Sequence, residues 1–358
     1  MPRTLIIAEA GVNHDGSVDT ALELVDVAVT AGADVVKFQS FNVDEVVTAD
    51  APQAGYQRDR APASSQREML RSLALDRAAH ERIAAYCHEL RIEFLSTAFD
   101  PRSLSMLVDL GIRRVKVPSG ELTNGPLLLR YARTGLPLIV STGMANLAEV
   151  EAALAVIAFG REQPKGVPTG EELADAYSRA LRSEALTENV TLLHCTSSYP
   201  ARPEDVHLAA MDSMARVFQL PVGYSDHTLG IAVSLAAVAR RAVIVEKHIT
   251  LDRSRTGPDH SASLEPDGLH QLVEGIRAIE LAIGTPIKHP TAGERDTAAV
   301  ARRSVVAARP IAAGTVLTED DLTALRPGHG CSPMEVWAML GCPARRDYRR
   351  HEPLDAGG

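Results

Sequence analysis

The sequence predicts an α/β fold, a closed (β/α)8 barrel (TIM barrel) followed by a small β-rich module. Three observations carry this: eight short apolar runs each followed by an amphipathic stretch, polar residues at the C-terminal end of every run, and a change of character after Gly284. Apolar strands alternating with amphipathic helices specify a parallel sheet. Eight such units within about 280 residues fit a closed barrel better than an open, doubly wound sheet.

The first run is Leu5–Ala8, and Ser17 is placed to cap a helix reaching Ala31, with Ala21, Leu24, Val25 and Ala28 on one face. DVVKF (34–38) is the second strand, followed by EFLST (93–97), RVKVP (114–118), LIVST (138–142), TLLHC (191–195), PVGY (221–224) and VIVEKH (243–248). Helices are expected over 76–90, 101–111, 124–134, 146–159, 203–218, 229–241 and 267–283, with long excursions before the third and sixth strands. The barrel is therefore assigned to 1–284. Polar, Pro/Gly-bearing TPIKHPTAGERD reads as a linker over 285–297. Residues 298–358, where SVVAA and TVLT alternate with Gly and Pro, form the module. It is small enough to gain much of its stability by docking.

Composition excludes several classes. Lys+Arg of 37 against Asp+Glu of 46 gives a net charge of −9, which argues against nucleic acid as a partner. Aromatics at 4% are too sparse for a base-stacking platform. Cysteines at 87, 195, 331 and 342 show no CxxC spacing, so neither a zinc site nor a disulfide framework is expected, and a reducing cytoplasm fits. The apolar run in MPRTLIIAEAG is far shorter than a signal-peptide core, and none elsewhere approaches the roughly 20 residues that span a bilayer, so no membrane association is expected.

A barrel places chemistry at the C-terminal ends of its strands. Those ends carry Glu9; Lys37 and Gln39; Thr97; Lys116, Ser119 and Glu121; Ser141; His194 and Thr196; Ser225 and His227; and Glu246 and His248. Any one alone is better explained as a polar strand end meeting solvent. All eight strands ending so points to an active site. Residues two apart share a face, so Lys37 with Gln39, and Glu246 with His248, can both reach the mouth. His227 and His248 end neighbouring strands, and two imidazoles beside carboxylate or water suit an octahedral first-row cation. Lys37 and Lys116 sit in β-branched runs, where a solvated lysine is less expected. With hydroxyls at Thr97, Ser119, Ser141 and Ser225 they form a donor-rich rim suited to a phosphate and a carboxylate.

The runs AEAGVNHDG, VVKFQS, FLSTAFD, VKVPSGE, VSTGM, LLHCTSSYP, YSDHT, EKH and GPDH, in this order, resemble the sialic-acid (N-acetylneuraminate) synthase family. The tail ARRSVVA…LRPGHGCSPME resembles its C-terminal antifreeze-like (SAF) domain, so the resemblance covers nearly the whole chain. It implies a barrel enzyme using a divalent metal, Mn²⁺ or Mg²⁺. Such an enzyme condenses phosphoenolpyruvate (PEP) with an N-acetylmannosamine-type aldose to give a nine-carbon 2-keto acid and phosphate. Residue by residue it implies metal ligands at His227 and His248, and PEP-binding positions at Lys37, Thr97, Lys116, Ser119, Ser141, Ser197 and Ser225. The acid near the reacting carbons is Glu9, and positions around the sugar are Gln39, Glu121, Tyr199 and Asp259. Arg326 falls where the family's SAF arginine reaches the sugar in a neighbouring protomer, implying a domain-swapped homodimer. Ser197 stands where members making N-acetylneuraminate often carry Asn. The excursion over 161–189 and the segment APQAGYQ resemble synthases of N,N′-diacetyllegionaminate, which implies a 2,4-diacetamido-6-deoxy acceptor beside N-acetylmannosamine.

The chemistry needs these residue types. PEP carries two anionic groups for cations and hydroxyls to match, and its condensation with an aldehyde needs a polarising Lewis acid and a base for the water that adds at C2. Glu9 is the candidate base. Two other classes stay open: another barrel enzyme that handles PEP or a sugar phosphate, such as an aldolase, whose Schiff-base type needs an unprotonated lysine in an apolar site, and a carbohydrate-binding protein without catalysis.

Overall fold

The computed structural model describes residues 3–60, 63, 65–183 and 185–355. Glu184 in the 161–189 excursion and the last three residues of the tail module lie outside the described residues. Eight parallel strands close into a barrel in sequence order: β1 (Leu5–Gly11), β2 (Val35–Ser40), β3 (Glu93–Ala98), β4 (Val115–Val117), β5 (Leu138–Ser141), β6 (Val190–Cys195), β7 (Val222–Asp226) and β8 (Ile244–His248), with β8 pairing back onto β1.

The helices follow from their local sequences. Ser17 accepts from Thr20 N at 3.2 Å to start the helix Val18–Ala31, and Gly32, at φ 81°, ends it in the left-handed conformation that costs glycine least. Asn146 and Glu149 cap each other's backbone at the head of Leu147–Glu162. The excursion before β3 holds the helices Val43–Val46, Gly55–Arg60 and Gln66–Leu73, and the one before β6 holds Gly170–Ala180. The stretch expected to be helical over 203–218 is a single turn at Pro203–Asp205, then a helix only from Ala209 to Phe218. No helix among the described residues is long and apolar enough to cross a membrane.

Strand alternation builds two cores. Ile7, Val35, Leu95, Ile139, Leu193 and Ile244 point inward and fill the barrel. The alternate residues, among them Ile6, Val36, Val117, Val140, Leu192 and Val245, pack outward against the helices.

The chain divides into two compact units, Met1–Gly284 and Thr285–Gly358. In the second, β9 (Ser304–Ala307) pairs antiparallel with β10 (Leu322–Leu325) over its own core of Val305, Ala307, Ile311, Leu317, Met339 and Tyr348. The polar stretch expected to be a linker to residue 297 instead turns helical at Glu294–Ala301. Glu294 accepts from both the backbone N and the hydroxyl of Thr291, at 2.7 and 3.0 Å, which starts that helix, and alanines continue it.

Candidate active site

Two residues beyond the apolar filling of the barrel, the inward-facing positions become polar: Glu9, Lys37, Thr97, Lys116, Ser141, Cys195, Ser225 and Glu246, one from each strand. Glu9 and Lys37 are register partners on β1 and β2, and Lys37 Nζ lies 2.8 Å from Glu9 Oε2. Lys37 Nζ also donates to Thr97 Oγ1 at 2.9 Å and sits 3.6 Å from Glu246 Oε2. Lys116 Nζ donates to Ser141 Oγ at 2.8 Å and lies 3.4 Å from Glu246 Oε1, which accepts from Ser225 Oγ at 2.9 Å. Two carboxylates and two ammonium groups thus form one buried network, each group no more than 5% exposed.

Burial treats the two acids differently. It pushes the Glu9 carboxyl up to about 7, with Lys37 opposing and Glu246 assisting. Glu246 is equally buried, but Lys116 and Lys37 together override the burial and hold it down to about 2. Burial works against the Lys37 ammonium, yet Glu246 and Glu9 outweigh it and keep its pKa above the ordinary value. At Lys116 burial wins and the pKa falls. A permanently charged acid therefore sits beside one poised to exchange a proton near neutrality.

The next layer out holds Gln39, Gly143, Ser197, His227 and His248. Gln39 Nε2 donates to Glu9 Oε1 at 3.3 Å. Ser119 Oγ accepts from Gly143 N at 3.0 Å and lies 3.1 Å from Cys195 Sγ. A Cβ on Gly143 would collide with Ser197 Oγ, Cys195 Sγ and Ser119 Oγ, so the backbone there makes room for a ring of small polar groups. Glu121 shares the short turn Ser119–Glu121, its Oε2 accepting from Asn124 Nδ2 at 2.6 Å.

The rings of His227 and His248 stand 5.6 Å apart, and Tyr199 covers His227 at 4.1 Å and meets His248 edge-on at 5.7 Å. His227 Nδ1 bonds the Thr196 carbonyl at 2.7 Å, which leaves Nε2 for the site. His248 Nδ1 is buried without a hydrogen-bond partner, 3.8 Å from Asp259 Oδ2. Burial lowers both imidazoles' pKa and pushes the Asp259 carboxyl up to about 6. Neutral imidazoles are the ligating form. Among the described residues no group of three or more His, Cys, Asp and Glu is gathered as for a metal ion. Next to this pair of histidines a cavity of about 240 Å³ is lined by the polar Gln39, Gln57, Gln66, Tyr199 and Asp259 together with apolar residues such as Phe41, Met69, Leu73 and Phe99.

Three readings of strand ends are corrected or extended. His194 and Thr196, expected at the mouth, face away from it: His194 Nε2 bonds the Val206 carbonyl at 2.6 Å, and Thr196 Oγ1 donates to the Asp205 carbonyl at 3.3 Å. The inward register of β6 belongs to Leu193 and Cys195, and polarity outranked alternation in that expectation. Cys195 and Gly143 were missed, although counting two from Leu193 and from Ser141 finds both. Glu246 was named as a strand end but not as a site residue. Arg326 lies in the second unit, exposed, just after β10.

A closed barrel whose carboxyl-terminal mouth buries a tunable acid beside a lysine, under a pair of neutral histidines, is an enzyme of anion-handling, acid–base chemistry. The chain belongs to the NeuB family, whose model matches residues 24–288, and residues 302–357 match the SAF domain. It is 43% identical to an N,N′-diacetyllegionaminic acid synthase of Legionella pneumophila over 94% of this chain and 89% of that one. It is 42% identical to the Campylobacter jejuni protein of the same name, over 98% and 99%. A crystal structure of an N-acetylneuraminic acid (sialic acid) synthetase from Leptospira borgpetersenii superposes with a TM-score of 0.66 at 30% identity, covering 82% of this chain and 90% of that one.

Proposed function

We propose that this enzyme condenses PEP with a 2,4-diacetamido-2,4,6-trideoxymannose, giving N,N′-diacetyllegionaminate and phosphate, with N-acetylmannosamine as the poorer acceptor. The observation that carries the reaction class is the buried network of Glu9, Lys37, Glu246 and Lys116 beneath the Ser119–Gly143–Ser197 cradle. Lys37, Lys116 and the hydroxyls of Thr97, Ser119, Ser141, Ser197 and Ser225 match the carboxylate and phosphate of PEP by charge and hydrogen bonding. Gln39, Glu121, Tyr199 and Asp259 bind the sugar, and Phe41, Met69, Leu73 and Phe99 of the adjoining cavity offer apolar contact to a methyl at C6.

His227 Nε2 and His248 Nδ1 fit a divalent cation, Mn²⁺ or Mg²⁺, which when bound polarises the aldehyde carbonyl. C3 of PEP attacks the aldehyde carbon and the new alkoxide takes a proton. Glu246 stays ionised and stabilises the positive character left at C2. Glu9, as base, removes one proton from the water that adds at C2, making up the proton taken by the alkoxide, and the C2 hydroxyl gives its remaining proton to the departing phosphate as the C2–O bond breaks, leaving the 2-keto acid. The enzyme is assigned to the cytoplasm and to a homodimer in which Arg326 of one protomer completes the partner's site.

The test is phosphate release from PEP with Mn²⁺ and a panel of acetamido sugars, comparing 6-deoxy with 6-hydroxy acceptors. Release with no acceptor in the panel overturns the class, and equal kcat/KM for both acceptor types overturns the sugar assignment. The lowered pKa of Lys116 admits one competitor, an imine-forming aldolase. Borohydride in the presence of pyruvate leaves no adduct on this enzyme if Lys116 is an anion ligand.

A further inference from the structure

The ends of β7 and β8 carry residues on both sides of the barrel wall. Ser225, His227, Glu246 and His248 face the mouth. Between them Asp226 and Lys247 point outward, into the layer of helices. They are register partners and form the last pair of the β7–β8 ladder. Lys247 Nζ lies 2.9 Å from Asp226 Oδ2, and each residue is 1% exposed. Asp226 Oδ1 accepts from Thr228 N and Thr228 Oγ1, both at 2.8 Å, and Oδ2 accepts from Ser234 Oγ. Lys247 Nζ donates to the Thr228 carbonyl.

The proposed reaction does not use this pair. A buried ion pair seldom stabilises a fold more than apolar side chains of the same volume would, and fixing one register is its best-attested use. The geometry supplies such a use. The ladder stops at Asp226 and Lys247, so His227 and His248 are the first residues beyond it. A slip of one residue in either strand would turn its histidine to the wrong face, and on the far side of β8 Glu9 of β1 pairs with His248. Thr228, next to His227, is gripped from both strands: Asp226 of β7 takes its N–H and Lys247 of β8 takes its carbonyl. From the other side Ala201 N donates to the His227 carbonyl at 2.9 Å.

We propose that Asp226 and Lys247 are a positioning couple that sets the spacing of His227 and His248, and through it the affinity for the divalent cation. This rests on the metal reading given above. Partners one step behind metal-binding imidazoles have such leverage, and their loss typically weakens metal binding about 10–100-fold.

The experiment strips the full-length protein of metal with a chelator and titrates it with Mn²⁺, following the spin-resonance signal of the free ion. Lys247→Met and Asp226→Asn bind Mn²⁺ about 10–100-fold more weakly than the parent while keeping its circular dichroism. A single change leaves one buried group uncompensated, so the charge-neutral double variant Asp226→Asn/Lys247→Met is measured too, and weakens binding no more than the worse single change. A purely structural pair lowers the melting temperature and leaves the Mn²⁺ midpoint where it was. That result, with His248→Ala no longer binding, overturns the couple and leaves the metal site standing. Undiminished Mn²⁺ binding by His248→Ala overturns the metal reading itself, and the couple with it.

Discussion

Glu9 and Lys37 face each other across neighbouring strands with 2.8 Å between carboxylate and ammonium, and the contact does not hold the acid ionised. Burial outweighs it and leaves Glu9 near 7, while Glu246, held by two lysines, falls to about 2. Lys116 acts on both acids but more on Glu246, and Glu246 itself pushes Glu9 up, which separates a base from a fixed charge.

Glu9→Gln is therefore expected to lower kcat by about 10²–10⁴ while PEP still binds. The base form of Glu9 fills as pH rises, so kcat/KM of the parent climbs through about pH 7 and levels off. In the variant that rise is gone. A pH–rate profile of both proteins checks this, and an unaltered profile would move the base to another acid.

Glu246 ties stability to pH with a definite sign. Its carboxyl is depressed from 4.5 to about 2, so it contributes stability above pH 4.5 that is lost as pH falls toward 2. Glu9 is raised, so its contribution is present below 4.5 and fades as pH rises through about 7. Urea unfolding of Glu246→Gln should show a shallower loss of stability between pH 4.5 and 2 than the parent.

Gly143→Ala adds one methyl where Ser197, Cys195 and Ser119 converge. Overpacking of this kind costs about 1–3 kcal/mol of stability, and here it displaces the hydroxyls assigned to PEP. The expected signature is a higher KM for PEP with the KM for the sugar little changed, read from steady-state kinetics with each substrate varied in turn.

Chelation with EDTA is expected to abolish turnover, and Mn²⁺ to restore it, because burial keeps the two histidines neutral and His248 Nδ1 makes no hydrogen bond among the described residues. His227→Ala should not be restored at any Mn²⁺ concentration that restores the parent. Recovery of that variant would remove His227 from the ligand set.

Arg326 is exposed in a Pro/Gly loop of the second unit, and the trans assignment makes it the partner's residue. Mixing Arg326→Ala with His248→Ala, each inactive alone, should recover activity once subunits exchange, because one site of each hybrid then has an intact barrel and an intact arginine. No recovery after verified exchange places Arg326 in its own chain's site or outside the chemistry.

Much of this was legible in order of residues. Eight apolar runs with helices between them specify a parallel sheet, because parallel strands need crossovers and each strand must bury both faces, and eight units within about 280 residues favour closing it into a barrel. Period-two alternation then puts Lys37 with Gln39 and Glu246 with His248 at one mouth. The same rule contained Cys195, and reading polarity before parity lost it to His194. What tertiary structure alone decided is which charges meet and in what medium. Glu9 and Glu246 are both acids at strand ends, and their distances to Lys37 and Lys116 and to each other, in a buried space, separate a pKa of about 7 from one of about 2. Asp226 and Lys247 likewise read as ordinary charges between site residues, until the register of β7 against β8 sets them opposite each other behind the histidines. Charge interactions depend on separation and dielectric, and neither is written along the chain.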